Sequence, residues 1–336
     1  MILKGYARFR SRHNRGSVLI LVFWALILLA TFAVYMGSMV RQRLDLVRRT
    51  HDYAALRMAS EAGAYYVKAE LVSSCGDVGS GELHDWLIYS RGFDGQMKSG
   101  PRYVVHVVDL ERRLNINTAP REVMARLFKN VAEVSSGEAQ SLSDAIIDWR
   151  DADHEMQPSG AEDLYYQSLS EPYEAKDELF NSTEELLLVR GFAGKIYDRV
   201  APYVTVCGAG AVNINTATAP VLLSLNLSPL LVEKIATYLK GEDGEFGTED
   251  DEAFGAPFGF DQQAKDLVII TPDEEKELEA LVEQGLLNVV SRNFFVMSRG
   301  TGSPMIRSFV TRAIYSVMPS EQGGCSVRLV WWRTGE

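Results

Sequence analysis

Ser17–Val40 reads SVLILVFWALILLATFAVYMGSMV, 24 residues without a charge, and it follows directly on a leader that ends Arg15-Gly16. Roughly 20 apolar residues at about 1.5 Å rise per residue cover the hydrocarbon core of a bilayer, so this run is long enough to span one as a helix. The leader carries Lys4, Arg8, Arg10, Arg12 and Arg15 and no acid. Basic residues on that flank predict a cytoplasmic N-terminus and delivery of the remaining chain to the far side, although Arg41, Arg43, Arg48 and Arg49 beyond the span oppose that orientation. A cleaved secretory signal would have an apolar core of about 7–15 residues and a small-x-small site, and this run is longer and lacks a clean site.

No proline occurs before Pro101, and the span passes without a turn signal into RQRLDLVRRTHDYAALRMASEAGAYYVKAELVSS. Leu44, Val47, Ala55, Met58, Ala62, Tyr65 and Ala69 recur at helical spacing and predict one buried face. A helix from about Ser17 to Ser74 would be roughly 85 Å long. Its outer half has to bury that face against its own globular domain or a neighbouring copy.

The middle of the chain contains an internal repeat. Leu114-Asn115-Ile116-Asn117-Thr118-Ala119-Pro120 returns 98 residues later as Val212-Asn213-Ile214-Asn215-Thr216-Ala217-Thr218-Ala219-Pro220, and each copy leads into an apolar-periodic stretch. Asn and Thr ahead of Pro predict helix starts in which a side-chain oxygen caps the first N–H groups. Each copy therefore opens a helical subdomain. The same phrase resembles helix-hairpin-helix units, as does the stretch from Thr183 to Gly194. Net charge argues against nucleic acid: the chain carries −11 overall, and residues 114–290 hold 12 Lys/Arg against 33 Asp/Glu.

Strand signals flank this block: Arg102–Asp109 before it, and Leu286–Met297, Met305–Val317 and Ser326–Arg333 after it. A long helix, a first strand region, a helical insertion and three final strands predict an α+β fold. Three cysteines, Cys75, Cys207 and Cys325, permit at most one internal disulfide, and the sequence selects no pair. The five histidines are dispersed and no Gly-x-Ser-x-Gly, P-loop or His-Glu-x-x-His occurs, which argues against an enzyme.

The basic leader ending in glycine, the span beginning right after it and the amphipathic continuation together resemble the type IV pilins and pseudopilins. That resemblance implies a pilin-like fold, a long N-terminal helix packed on a small antiparallel sheet. It also implies cleavage by a prepilin peptidase after Gly16, with Ser17 as the first mature residue. Most members keep Glu at the fifth mature position, where it pairs with the amine of a neighbouring subunit; here that position is Leu21. A carboxylate in lipid is costly unless paired, so a subunit without it fits a filament end.

Lack of that Glu, large size and the NINTA region resemble the K-type minor pseudopilins of type II secretion. This implies an all-α insertion of two helix-hairpin-helix/SAM-like subdomains and a non-catalytic role at the pseudopilus tip, initiating or capping the filament. The implied location is the inner membrane, single pass, with the bulk periplasmic. The implied partners are the other minor pseudopilins, the prepilin peptidase, the inner-membrane secretion platform and, as further candidates, exported proteins; nucleic acid is not among them. The domain boundaries expected are a leader at 1–16, a membrane half-helix at 17–40, the outer half-helix with first strands at 41–111, helical subdomains at 112–205 and 206–286, and final strands at 287–336. The alternatives are an anchored helix-hairpin-helix pilin for DNA uptake and an anchored periplasmic enzyme.

Two acidic stretches have the hard oxygen donors that calcium takes, about six to eight at 2.3–2.6 Å. The first offers Asp148, Asp151, Asp153, Glu155, Glu162 and Asp163, turned back on itself by Pro158 and Gly160. It also resembles the K-type insertion, whose helical domain has been associated with calcium. The second, weaker stretch offers Asp243, Glu245, Asp250 and Asp251 and lacks the spacing of an EF-hand loop.

Overall fold

The computed structural model describes residues 15–73, 93–98, 100–246, 248, 250–255, 270–302, 308–319 and 325–335. Residues 1–14 of the leader and Cys75 lie outside the described residues. Helix α1 runs Arg15–Ser73, and from Val18 onward it is long and apolar enough to cross a membrane. Its first half exposes Leu19, Leu21, Trp24, Leu28 and Val34. An apolar surface all round a helix suits lipid rather than water, which is consistent with a single membrane-spanning anchor.

The larger compact unit comprises 56–302 and 308–336. In it, the end of α1 packs on a five-stranded antiparallel sheet of β1 (Phe93–Gln96), β2 (Arg102–Asp109), β7 (Asn293–Thr301), β8 (Phe309–Pro319) and β9 (Cys325–Gly335), in the order β1-β2-β7-β8-β9. Strand alternation turns Val105, Val107, Phe294, Val296, Ala313 and Tyr315 onto Ala64, Val67 and Leu71. Burying a Val or Phe side chain contributes about 1.5–3 kcal/mol, so this seam holds the helix to the sheet.

The buried helix face is offset by one position from the expected one. Leu56, Ala59, Ser60, Ala64, Val67 and Leu71 are buried, while Leu44, Val47, Met58 and Tyr65 are exposed. Close approach is the physical reason. A Cβ on Gly63 would lie 2.7 Å from Val105 and 2.9 Å from Tyr103, Ser60 Oγ is 2.8 Å from Thr311 Oγ1, and Tyr315 donates its hydroxyl to the Ala64 carbonyl at 3.2 Å. Ser60, Gly63 and Ala64 let the helix approach the sheet closely, whereas Met58 and Tyr65, which periodicity favours, remain outside.

The insertion enters between β2 and β7, is built twice on one plan, and is mainly helical rather than all-α, because each copy is closed by a short parallel strand pair. In the first copy β3 (Leu114–Asn115) pairs in parallel with β4 (Val204–Thr205), and helices α2 (Arg121–Val131) and α3 (Ser136–Arg150) form a hairpin. A short helix α4 (Asp163–Tyr166), a 3-10 turn at Thr183–Leu188 and α5 (Lys195–Val200) complete it. In the second, β5 (Val212–Asn213) pairs in parallel with β6 (Leu287–Asn288), and α6 (Ala219–Ser224), α7 (Pro229–Leu239) and α8 (Pro272–Glu283) follow. Ser135 and Ser228 cap the second helix of each hairpin through their hydroxyls, and Arg126 Nε donates to the Ser224 carbonyl at 2.7 Å. One contiguous apolar core runs through both copies, from Leu114 to Val289.

Two local expectations are corrected. The NINTA asparagines do not cap helices: the caps of α2 and α6 are Pro120 and Thr218, neither with a side-chain bond. An amide both donates and accepts, and here that capacity goes to extended chain. Asn117 Nδ2 donates to the Phe180 carbonyl at 3.0 Å while its Oδ1 accepts from Phe180 N at 2.8 Å. Asn215 does the same to Phe254, at 3.0 and 2.9 Å. Leu286–Met297 is not one strand but two, β6 and β7, separated where Glu111 accepts from the backbone N–H groups of Arg292 and Asn293.

Candidate cation site in the helical insertion

The first acidic stretch starts on α3, whose N-terminus is fixed by Ser135 and whose last turns are locked by two arginines. Arg121 forms a bidentate pair with the fully buried Asp144, and Arg150 donates to the carbonyls of Ile116 and Ala119. One turn past Asp144, Asp148 is fully buried. Its Oδ1 accepts from Gln157 N at 3.0 Å as the chain returns, and its other oxygen lies where a Cβ on Gly160 would sit. The glycine is thus required by the carboxylate. Arg190 holds the returning loop through the Gly160 carbonyl at 2.6 Å and stacks its guanidinium over Tyr165, 5.1 Å from the ring centre.

Around this turn Asp148 Oδ2, Asp151 Oδ1, both Glu162 oxygens and Asp177 Oδ1 are buried without a hydrogen-bond donor. Five donor-less carboxylate oxygens on four residues, three of which act by charge on the fourth, Glu162, are costly, because a buried anion needs a compensating positive partner. Burial, then the charges of Asp148, Asp177 and Asp151, push Glu162 up to about 7. Asp151 and Asp148 are raised as well, in each case chiefly by burial. His154 Nδ1 lies 3.8 Å from Asp177 Oδ2, and ligand atoms of His154, Glu162 and Asp177 fall within 4.8 Å of one another. The donor set is almost wholly hard carboxylate oxygen, which fits calcium.

The remaining acids of that stretch have other tasks. Asp153 Oδ1 accepts from Glu155 N at 2.9 Å, both residues being exposed, and Asp163 Oδ1 accepts from Ala175 N at 2.8 Å. Asp177 lies 14 residues beyond Asp163, outside the acidic stretch read from the sequence; its positive φ of 51°, unusual for a residue with a side chain, leaves no trace in the sequence. In the second stretch the carboxylates bind their own loop. Asp250 Oδ2 accepts from Glu242 N and Asp243 N at 2.7 and 2.9 Å, Asp243 Oδ1 accepts from Glu245 N at 2.8 Å, and Asp251 Oδ1 meets Thr248 at 3.2 Å.

The hairpins bear on nucleic acid too. Positive φ falls at Glu133 and Asn226, each two residues before its serine cap. A phosphate-binding hairpin presents backbone N–H groups at such a turn, and Glu133, paired with Arg199 at 3.1 Å, would repel phosphate there. Of the cysteines, Cys325 is disulfide-bonded and Cys207 carries a free thiol.

A long helix on an antiparallel sheet, interrupted by a helical insertion, is a pilin-like fold. Residues 105–209 match the family model described as "Type II secretion system (T2SS), protein K". A type II secretion system protein K of Aeromonas hydrophila is 43% identical over 100 residues, 29% of this chain and 30% of that protein. A putative protein K of Escherichia coli K12 is 24% identical over 220 residues, 61% and 66% of the two chains. The alignments thus cover less than two thirds of these relatives' own lengths. A chain in the crystal structure of the GspK-GspI-GspJ complex from enterotoxigenic Escherichia coli shares the fold, with a TM-score of 0.57 at 18% identity over 86% of this chain and 99% of that one. The first half of the insertion is thus similar in sequence to type II secretion system protein K, and the fold as a whole is similar to that of a chain in the GspK-GspI-GspJ complex.

Proposed function

We propose that this protein is a non-catalytic minor pseudopilin at the tip of a type II secretion pseudopilus. The observation that carries the reading is α1 itself: one helix supplies an apolar anchor from Val18 and, from Leu56 on, the helix of a pilin sheet. The helical insertion supports a tip position, since a module of that size leaves little room for a further subunit above it. On this reading the basic leader stays cytoplasmic, the bulk is periplasmic, and prepilin peptidase cuts between Gly16 and Ser17. Leu21 in place of Glu leaves the subunit unable to neutralise another subunit's amine, as suits a filament end. The two insertion copies, 112–205 and 206–286, act as one cap, and Asp148, Asp151, Glu162 and Asp177 hold a calcium ion that neutralises their charge and ties α3 to the loops after it.

The partners that follow are the counterparts of GspI and GspJ, which the similar solved complex contains. Co-expression with those two minor pseudopilins and affinity purification through this chain tests the assignment. A ternary complex should elute; recovery of this chain alone, with the other two pairing without it, would contradict the tip reading.

A further inference from the structure

The sheet face turned away from α1 has a composition at odds with that of the acidic insertion. Strand register aligns Val108, Phe295, Ile314 and Trp331 in a row that crosses β2, β7, β8 and β9. A solvated face of an antiparallel sheet is ordinarily polar, and here an apolar row ends in the exposed Trp331. The same face carries Arg102, Arg299, Arg312, Arg328 and Arg333, by their register partners Thr301, Val104, Met297, Ser316 and Arg312. None of the five forms an ion pair among the described residues. Asp94, opposite Val104 on β1, is the acid that register adds to this face.

Arg312 and Arg333 stand directly opposite each other across β8 and β9. Like charges in that position destabilise a sheet, so the arrangement opposes folding unless an anion lies between them. Arginine and tryptophan are also the side chains that dominate binding energy at protein interfaces, and guanidinium pairs bidentately with carboxylate. All of this occurs in a chain of net charge −11. We propose that this face docks an acidic protein surface, its carboxylates on Arg312, Arg333 and Arg299 and an apolar side chain on the Phe295, Ile314 and Trp331 row. An anionic bilayer fits less well: the apolar row lies flat in mid-sheet rather than on a protruding loop, and the acidic insertion would be repelled by the same lipid.

The test uses the full-length protein in non-ionic detergent and a fluorescein-labelled 12-residue peptide of alternating Glu and Phe as the probe, read by anisotropy. Saturable, salt-sensitive binding is expected, weakened about tenfold or more by Arg312→Glu with Arg333→Glu and several-fold by Trp331→Ala. Lys129→Glu with Lys195→Glu, which makes the same charge change on the exposed insertion surface, should leave affinity within about twofold. If the double reversal does not fold, Arg312→Gln with Arg333→Gln reads the same contact. The proposal is overturned if the probe does not bind, if the charge-changed sheet binds as well as the native one, or if arginine-dependent binding occurs only with phosphatidylglycerol vesicles.

Discussion

Asn117 and Phe180 exchange two hydrogen bonds, amide to backbone and backbone to amide, as neighbouring strands would, and Asn215 repeats the exchange with Phe254. Each asparagine reaches a second carbonyl as well, Val206 for Asn117 and Val289 for Asn215. One side chain thereby fastens the start of its helical hairpin to segments 63 and 39 residues away.

Asn215 is the more buried of the two, so it should matter more. Asn215→Ala leaves Phe254 N–H and two carbonyls without partners, at a cost of about 3 kcal/mol. At roughly 2–4 °C per kcal/mol for a unit of this size, the melting temperature should fall by about 6–12 °C. Asn117→Ala should cost less. Equal, negligible shifts in both variants by calorimetry would mean that the amides are not the fasteners.

Gly63 tests the seam between α1 and the sheet. Alanine normally gains about 0.8–1 kcal/mol over glycine inside a helix. Here its Cβ would press into Val105 and Tyr103, so Gly63→Ala should be net destabilising by about 1–3 kcal/mol in a thermal melt. A stabilised variant would show that the helix rides higher on the sheet than described.

Glu111 sets a pH dependence where β2 meets the insertion. Burial, and then the nearby Asp109 charge, push it up to about 7 from an ordinary 4.5. The folded state therefore holds the proton more tightly than the unfolded one. Its contribution to stability is fully present below about pH 4.5 and is lost as pH rises to about 7. Glu111→Gln should flatten the stability profile across that window; an unchanged slope would remove Glu111 as its source.

The carboxylates near α3 predict a response to metal. Millimolar calcium should raise the melting temperature of the wild-type protein at pH 7.5 and a chelator should reverse it, since four clustered acids with five donor-less oxygens gain a counter-ion. Asp177→Asn or Glu162→Gln should remove most of that increment, while Asp243→Asn should not. A melt unmoved by calcium or chelator would leave these residues as uncompensated buried acid.

The broad architecture was legible because its signals are periodic or repeated. The span, the strands and the two NINTA phrases are each read from neighbouring residues. What was not legible depends on residues brought together from afar. The buried helix face differs by one position from the one periodicity predicts because close packing favours Gly63 and Ala64 over Met58 and Tyr65, an effect of the sheet that α1 alone does not encode. Asp177 joins Glu162 and His154 through a left-handed turn. Arg312 and Arg333 become neighbours only once register is known, and a bulge between Ile314 and Tyr315 shifts that register.

The account rests on α1 being an assembly helix freed by cleavage rather than a permanent anchor. Co-expression with a prepilin peptidase, followed by intact-mass measurement of the purified chain, tests this most directly. A mature protein beginning at Ser17, with Gly16→Asp blocking the mass change, is the predicted result; a chain still beginning at Met1 in the presence of active peptidase would contradict it.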